Sequence, residues 1–149
     1  MNGAVKPSDF FSKEEETQIV NSIKEAEKFT FGEIRVHIER KIKGDIMERA
    51  VKVFNTIGMH KTKERNGCLI ILDLTNRRFA IIGDSGINDK VGADFWNEIS
   101  AGLSDNFKRK NYTGGLCAAI LKIGEKLNHF FPHLTNDVNE LPDEISKND

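Results

Sequence analysis

The 149 residues, 38% hydrophobic and 30% charged, fit one soluble folded domain; two domains of half that length would each bury too little core. Lys plus Arg number 22 against 23 Asp plus Glu, a net charge of −1 that argues against a general nucleic-acid binder, which is normally strongly basic. No apolar run approaches the roughly 20 residues that span a bilayer, and residues 1–7 lack the apolar core of a secretory signal.

The periodicities then define the elements in order. Ser12 followed by Glu15 is a capping box, and Glu14, Glu15 and Glu16 suit the positive end of a helix. Ile19, Ile23 and Ala26, with Val20 alongside, carry its apolar stripe to about Phe29. From Glu33 to Glu39 the pattern changes to strict alternation, with Ile34, Val36 and Ile38 on one face and Arg35 and His37 on the other: a half-buried strand. Asp45 with Glu48 caps a second helix striped by Met47, Ala50, Val51, Phe54 and Ile57, and Gly58 ends it. A polar, basic loop follows over residues 59–67. Cys68 to Leu72 is apolar at every position, as in a central strand covered on both faces. Phe79 to Ile82 is a further strand, close enough to pair as a hairpin. Two more helices are marked by Phe95, Trp96, Ile99, Leu103 and Phe107, then by Leu116, Ile120, Ile123, Leu127 and Phe130. Helices over both faces of a small mixed sheet predict an α/β three-layer domain over residues 8–131. Residues 134–149 hold five acids and one lysine, so 132–149 reads as an acidic, disordered tail.

Cys68 and Cys117 both sit in apolar runs and read as core thiols; two isolated cysteines make no zinc site. The segment with most chemistry runs from Asn66 to Trp96. Asp73 ends the all-apolar strand, where loops of an α/β sheet usually carry ligands. Asp84, Asn88 and Asp89 lie in a glycine-containing turn, and Asp94 comes just after. If that turn folds back beside Asp73, several carboxylates converge, and hard oxygen ligands of like charge call for Ca²⁺ or Mg²⁺. The plainer alternative is that Asp73 caps the hairpin while Asp89 and Asp94 serve a helix start.

Other signals are weaker. Gly83-Asp84-Ser85-Gly86 has part of a serine-nucleophile turn but no triad partners in fold order. Asp73 has Thr75 where a haloacid-dehalogenase phosphatase carries its second acid, and neither cysteine has an arginine six residues on. His129 and His133 are separated by Pro132, which ends their helix, and His37 is read as solvated or covered. The basic loop Lys61, Lys63, Arg65 and the triplet Lys108-Arg109-Lys110 read as solvated surface.

Short matches spread from Phe10 to Phe130 resemble the TPM domain family. They include Phe10-Phe11, Gly32-Glu33-Ile34, and Asn66-Gly67 leading to Leu69-Ile70-Ile71-Leu72. Arg77 to Asp84, Gly86-Ile87 and Asn111-Tyr112-Thr113-Gly114-Gly115-Leu116 complete them. The resemblance implies a Rossmann-like α/β/α sandwich. Some relatives are described as acid phosphatases and others as receptor or photosystem-assembly regulators; divalent cations accompany the fold, and many members are membrane-attached. By position it points to Asp73 and Asp84 as metal-binding acids, with Asp89, Asp94 and Glu33 beside them.

The resulting expectation is a cytoplasmic, monomeric binding or protein-maintenance module with a Ca²⁺ or Mg²⁺ site formed by Asp73, Asp84, Asp89, Asp94 and Glu33. A protein partner is expected, with no nucleic acid and no membrane segment. The alternatives are a metal-assisted phosphatase, with the metal polarising a phosphoryl oxygen and activating water, and a metal-independent protein adaptor.

Overall fold

The computed structural model describes residues 5–133 and 145–149. A four-stranded mixed sheet in the order β3-β2-β1-β4 forms the middle layer, with β1 Glu33–Glu39, β2 Gly67–Asp73, β3 Arg78–Gly83 and β4 Ser146–Asn148. β1 pairs in parallel with both β2 and β4, while β2 and β3 form the antiparallel hairpin. Helices cover both faces, so the architecture is the α/β three-layer sandwich that the patterns predict.

Strand alternation decides which core each residue enters. Ile34, Val36 and Ile38 of β1 and Cys68, Ile70 and Leu72 of β2 face the larger core. There they meet Ile19 and Ile23 of α2 (Lys13–Glu27), Ile87 of α4 (Ser85–Val91), Ile99 and Leu103 of α5 (Ala93–Lys108), and Leu116 to Leu127 of α6 (Tyr112–Phe130). Leu69 and Ile71 turn the other way, into a smaller core with Ala50, Val53 and Phe54 of α3 (Ile46–Thr56) and Met59 of a following 3₁₀ turn. Every residue of β2 is buried, as its unbroken apolar run requires. Local chemistry starts the helices: the Glu15 N–H donates to Ser12 Oγ at 3.1 Å, the Ser12 N–H donates to the Glu15 carboxylate at 2.9 Å, and the Asp45 carboxylate accepts from the Glu48 N–H at 3.0 Å. α2 and α6 pack so closely that a Cβ on Gly124 would lie 2.5 Å from that of Ala26.

Three elements differ from the sequence reading. Pro7–Phe10 forms a short helix, α1. The glycine-containing turn after the hairpin is a helix, α4, capped by Asp84 and separated from α5 by Gly92 at φ 78°. Gly86 serves close approach there: a Cβ would collide with the carbonyl oxygen of Glu64 and lie 2.6 Å from that of Arg65. The expected disordered tail ends in a strand, β4, because its main chain pairs with β1 and its polar side chains find partners. The rest of that segment, residues 134–144, lies outside the described residues.

Candidate functional site

The hairpin sends Asp73 and Asp84 to opposite ends of the sheet. In register, Asp73 stands opposite Arg78, whereas Gly83, just before Asp84, stands opposite Cys68. The length of β2 therefore separates the two acids, roughly 20 Å at 3.3 Å per residue. The expected convergence of Asp73 with Asp84 and Asp89 does not form, because an antiparallel return carries the second acid back to the start of the first strand.

At the far end of β2, Asp73 is wholly buried. Its Oδ1 accepts from the Asn76 N–H at 3.2 Å, and Oδ2 accepts from Asn76 Nδ2 at 2.8 Å and Arg78 Nη2 at 2.9 Å. Arg78 also donates to the carbonyls of Ile42 and Gly44, tying the hairpin to the loop after β1. A carboxylate already holding this many donors is a structural knot.

The start of β2 is arranged differently. Asp84 Oδ1 accepts from the Ser85 N–H at 2.7 Å and caps α4, and Arg65 donates to both oxygens from Nε at 2.6 Å and Nη2 at 2.8 Å. Arg65 stands in the left-handed region at φ 53°, a backbone cost for a non-glycine residue that cages this corner. Gly86 N–H donates to the Arg65 carbonyl at 2.8 Å and fixes the loop against α4. Glu27 lies at the same end, where its Oε2 accepts from the Ile34 N–H at 2.7 Å. The fully buried Cys68 thiol is pushed well up, first by burial and then by the charges of Asp84 and Glu27. Both acids therefore stand close enough to Cys68 to act on it electrostatically.

Asn66 completes the corner. It is 1% exposed, and among the described residues neither amide atom of its side chain has a hydrogen-bond partner. Two residues before Cys68 in extended chain, it lies on the Cys68 side of the sheet. Glu33 is buried at the same end, opposite Gly67, but alternation turns its side chain to the α3 face. Asp89 and Asp94 are exposed, within α4 and in the first turn of α5. Of the five expected acids the structure thus places Asp84 and Glu33 at one end, Asp73 at the other, and Asp89 and Asp94 on the surface. Glu27 and Asn66 escape sequence reading: the first looks like the end of an amphipathic helix, the second like a turn residue. The Asn66-Gly67 pair before an all-apolar strand is the one available signal.

Among the described residues no group of three His, Cys, Asp or Glu side chains is placed to hold a metal ion. The donors at the Asn66 corner are two carboxylates and an amide oxygen. One of them, Asp84, is already held by Arg65 and the Ser85 N–H, and together they do not form an all-protein cage.

A second buried polar group lies on the α3 face. His37 Nε2 is 3.0 Å from Glu39 Oε2, which also accepts from Arg49 Nε at 2.6 Å, and His37 Nδ1 is 2.9 Å from Ser146 Oγ. His37 is buried under this cluster. Burial lowers its pKa, against the raising effect of the Glu39 carboxylate.

The family model described as the TPM domain matches residues 4–126. The chain belongs to the TPM domain family. Its sandwich is shared with the NMR structure of BA42 from the psychrophilic bacterium Bizionia argentinensis, 43% identical, with a TM-score of 0.88 over 96% of this chain and 99% of that one. The N-terminal domain of a P. gingivalis protein is 19% identical with a TM-score of 0.68, covering 88% of this chain and 85% of that one. The N-terminal domain of the Corynebacterium glutamicum cg2496 protein is 12% identical with a TM-score of 0.67, covering 91% and 86%. These two share the fold. No curated protein matches the chain. No helix among the described residues of this TPM domain is long and apolar enough to cross a membrane.

Proposed function

We propose that this TPM domain is a binding module whose cation-responsive part is the Asn66 corner. The carrying observation is Asn66 itself: a buried amide without partners among the described residues, at the end of the sheet that also carries Asp84 and Glu27. Buried polar side chains are nearly always satisfied, so an unsatisfied one next to carboxylates favours an ion or water there. Glu27 and the Asn66 carbonyl would hold the cation, with Asp84, already held by Arg65 and the Ser85 N–H, adding negative charge at the same end of the sheet. A bound Ca²⁺ or Mg²⁺ would supply positive charge at this buried, acid-bearing end of the sheet. Arg65 already neutralises Asp84 from the protein side. Asp73 has no part in this reading.

An amide NMR titration of metal-stripped protein with Ca²⁺, then Mg²⁺, tests it. Saturable shifts are expected at residues 65–68 and 84–86, lost in Asp84→Asn and kept in Asp73→Asn. Shifts confined to exposed acids, or none at millimolar ion, would overturn the cation reading.

A further inference from the structure

β4 is attached to the domain much as a bound peptide would be. Its three residues, Ser146, Lys147 and Asn148, are all polar and pair in parallel with His37, Ile38 and Glu39 of β1. Three side chains around that pairing, those of Ser146, Lys147 and Asp149, have distinct receptors. Ser146 Oγ meets His37 Nδ1 at 2.9 Å, and Lys147 Nζ lies 2.7 Å from the Glu16 carboxylate. The carboxylate of Asp149 accepts from the Ser8 N–H at 3.0 Å and from the Ser8 hydroxyl at 2.8 Å. Ile145, just before the strand, packs against the larger core as the lone apolar contact of the segment. Main-chain pairing at a sheet edge with alternate side chains in separate receptors is how a sheet recognises an extended peptide.

We propose that the β1 edge beneath Ser146–Asn148 is a docking site for an extended segment of another protein, and that β4 is its resident occupant. The partner segment carries, in order, an apolar residue, a hydroxyl, a cation, any residue and a carboxylate. His37 reads the hydroxyl, Glu16 the cation, and Ser8 the carboxylate. Charge complementarity selects this pattern: an acid at the Lys147 position would face Glu16, and a base at the Asp149 position would face the Ser8 N–H and the charge of Lys6. Three polar residues bury little apolar surface, so main-chain pairing and these polar contacts hold the strand, and covalent attachment adds effective concentration. A tethered strand competes at an effective concentration in the millimolar range, so a partner gains access when β4 is loosened. The edge lies at the Asp73 end of the sheet, away from the Asn66 corner, and needs no cation.

The test uses the full-length chain and a fluorescent peptide of the sequence Asp-Glu-Ile-Ser-Lys-Asn-Asp, followed by anisotropy. The double variant Ser146→Ala/Lys147→Glu loosens the resident strand without touching β1. It is expected to bind the peptide at least about tenfold more tightly than the unaltered chain, because the tethered competitor is weakened. A peptide with Lys147→Glu should bind neither protein. Equal affinity of the two proteins for the peptide, or no binding to the variant, overturns the proposal. Hydrogen exchange on the unaltered chain gives an independent reading: amides of residues 146–148 should exchange at least about tenfold faster than those of the β1–β2 pairing. Equal protection would make β4 an integral strand and overturn it too. Dimerisation of the variant that excess peptide fails to reverse would assign the edge to a second copy and likewise overturn it.

Discussion

Arg65 grips Asp84 by both carboxylate oxygens, at 2.6 and 2.8 Å, from a backbone held at φ 53°. The same carboxylate caps α4 through the Ser85 N–H. One side chain thus fixes a loop, a helix start and the end of the hairpin.

Asp84→Ala removes the cap and should cost about 1–2 kcal/mol of stability. Asp84→Asn retains an acceptor for the Ser85 N–H and should lose clearly less. Urea denaturation of the two variants checks the order; equal losses would mean that the charge, and not the cap, matters.

Asp73→Ala leaves the Arg78 guanidinium without its buried partner and frees the hairpin from the loop after β1. The expected cost is roughly 2–4 kcal/mol, below that of a fully buried pair because Arg78 is partly exposed. Asp73→Asn should leave the cation response intact. A stability change near zero by chemical denaturation would contradict the structural role of this acid.

His37 makes stability depend on pH. Its folded pKa lies below the ordinary 6.5, chiefly through burial, so the unfolded chain binds the proton more readily. The neutral-histidine contribution is therefore full above pH 6.5 and is lost as pH falls below it toward the folded pKa. Glu39, Arg49, Arg35 and Ser146 are the groups around the ring, and Glu39 limits the size of the effect. His37→Gln should flatten the stability profile on the acid side of pH 6.5; an unchanged slope would assign it to other groups.

The two thiols should separate by reactivity. Cys68 is fully buried with its thiol pKa raised, whereas Cys117 is partly exposed. A disulfide reagent should titrate one thiol in the folded protein and two after denaturation. Fast reaction at Cys68 in native protein would mean that the Asn66 corner opens.

The elements with strong periodicity were legible from the sequence because their physics is local. Ser12 with Glu15, the alternation from Ile34 to Ile38, and the apolar run from Cys68 each name their own surroundings. α4 is only seven residues long and begins with Ser-Gly, so nothing in its pattern outweighs a turn. β4 has no apolar alternation, and only its partners on α1, α2 and β1 make it a strand. The site was less legible, since a carboxylate's value depends on what reaches it from elsewhere. Arg78 and Arg65 each reach a different acid, and the hairpin that Asp73 and Asp84 share sets them apart. The Asn66-Gly67 pair marked only the entry to a strand, because an unsatisfied amide is a property of its surroundings.

The sheet also partitions the energetics of the domain. Ile70 and Ile71 are neighbours in sequence and are both fully buried, yet the first belongs to the core of α2, α5 and α6 and the second to that of α3. Shaving each to valine should cost about 0.5–1.5 kcal/mol, and the double variant should lose the plain sum of the two. Adjacent codons would then answer to separate selective pressures, and the α3 side could be remodelled while the larger core stayed as it is.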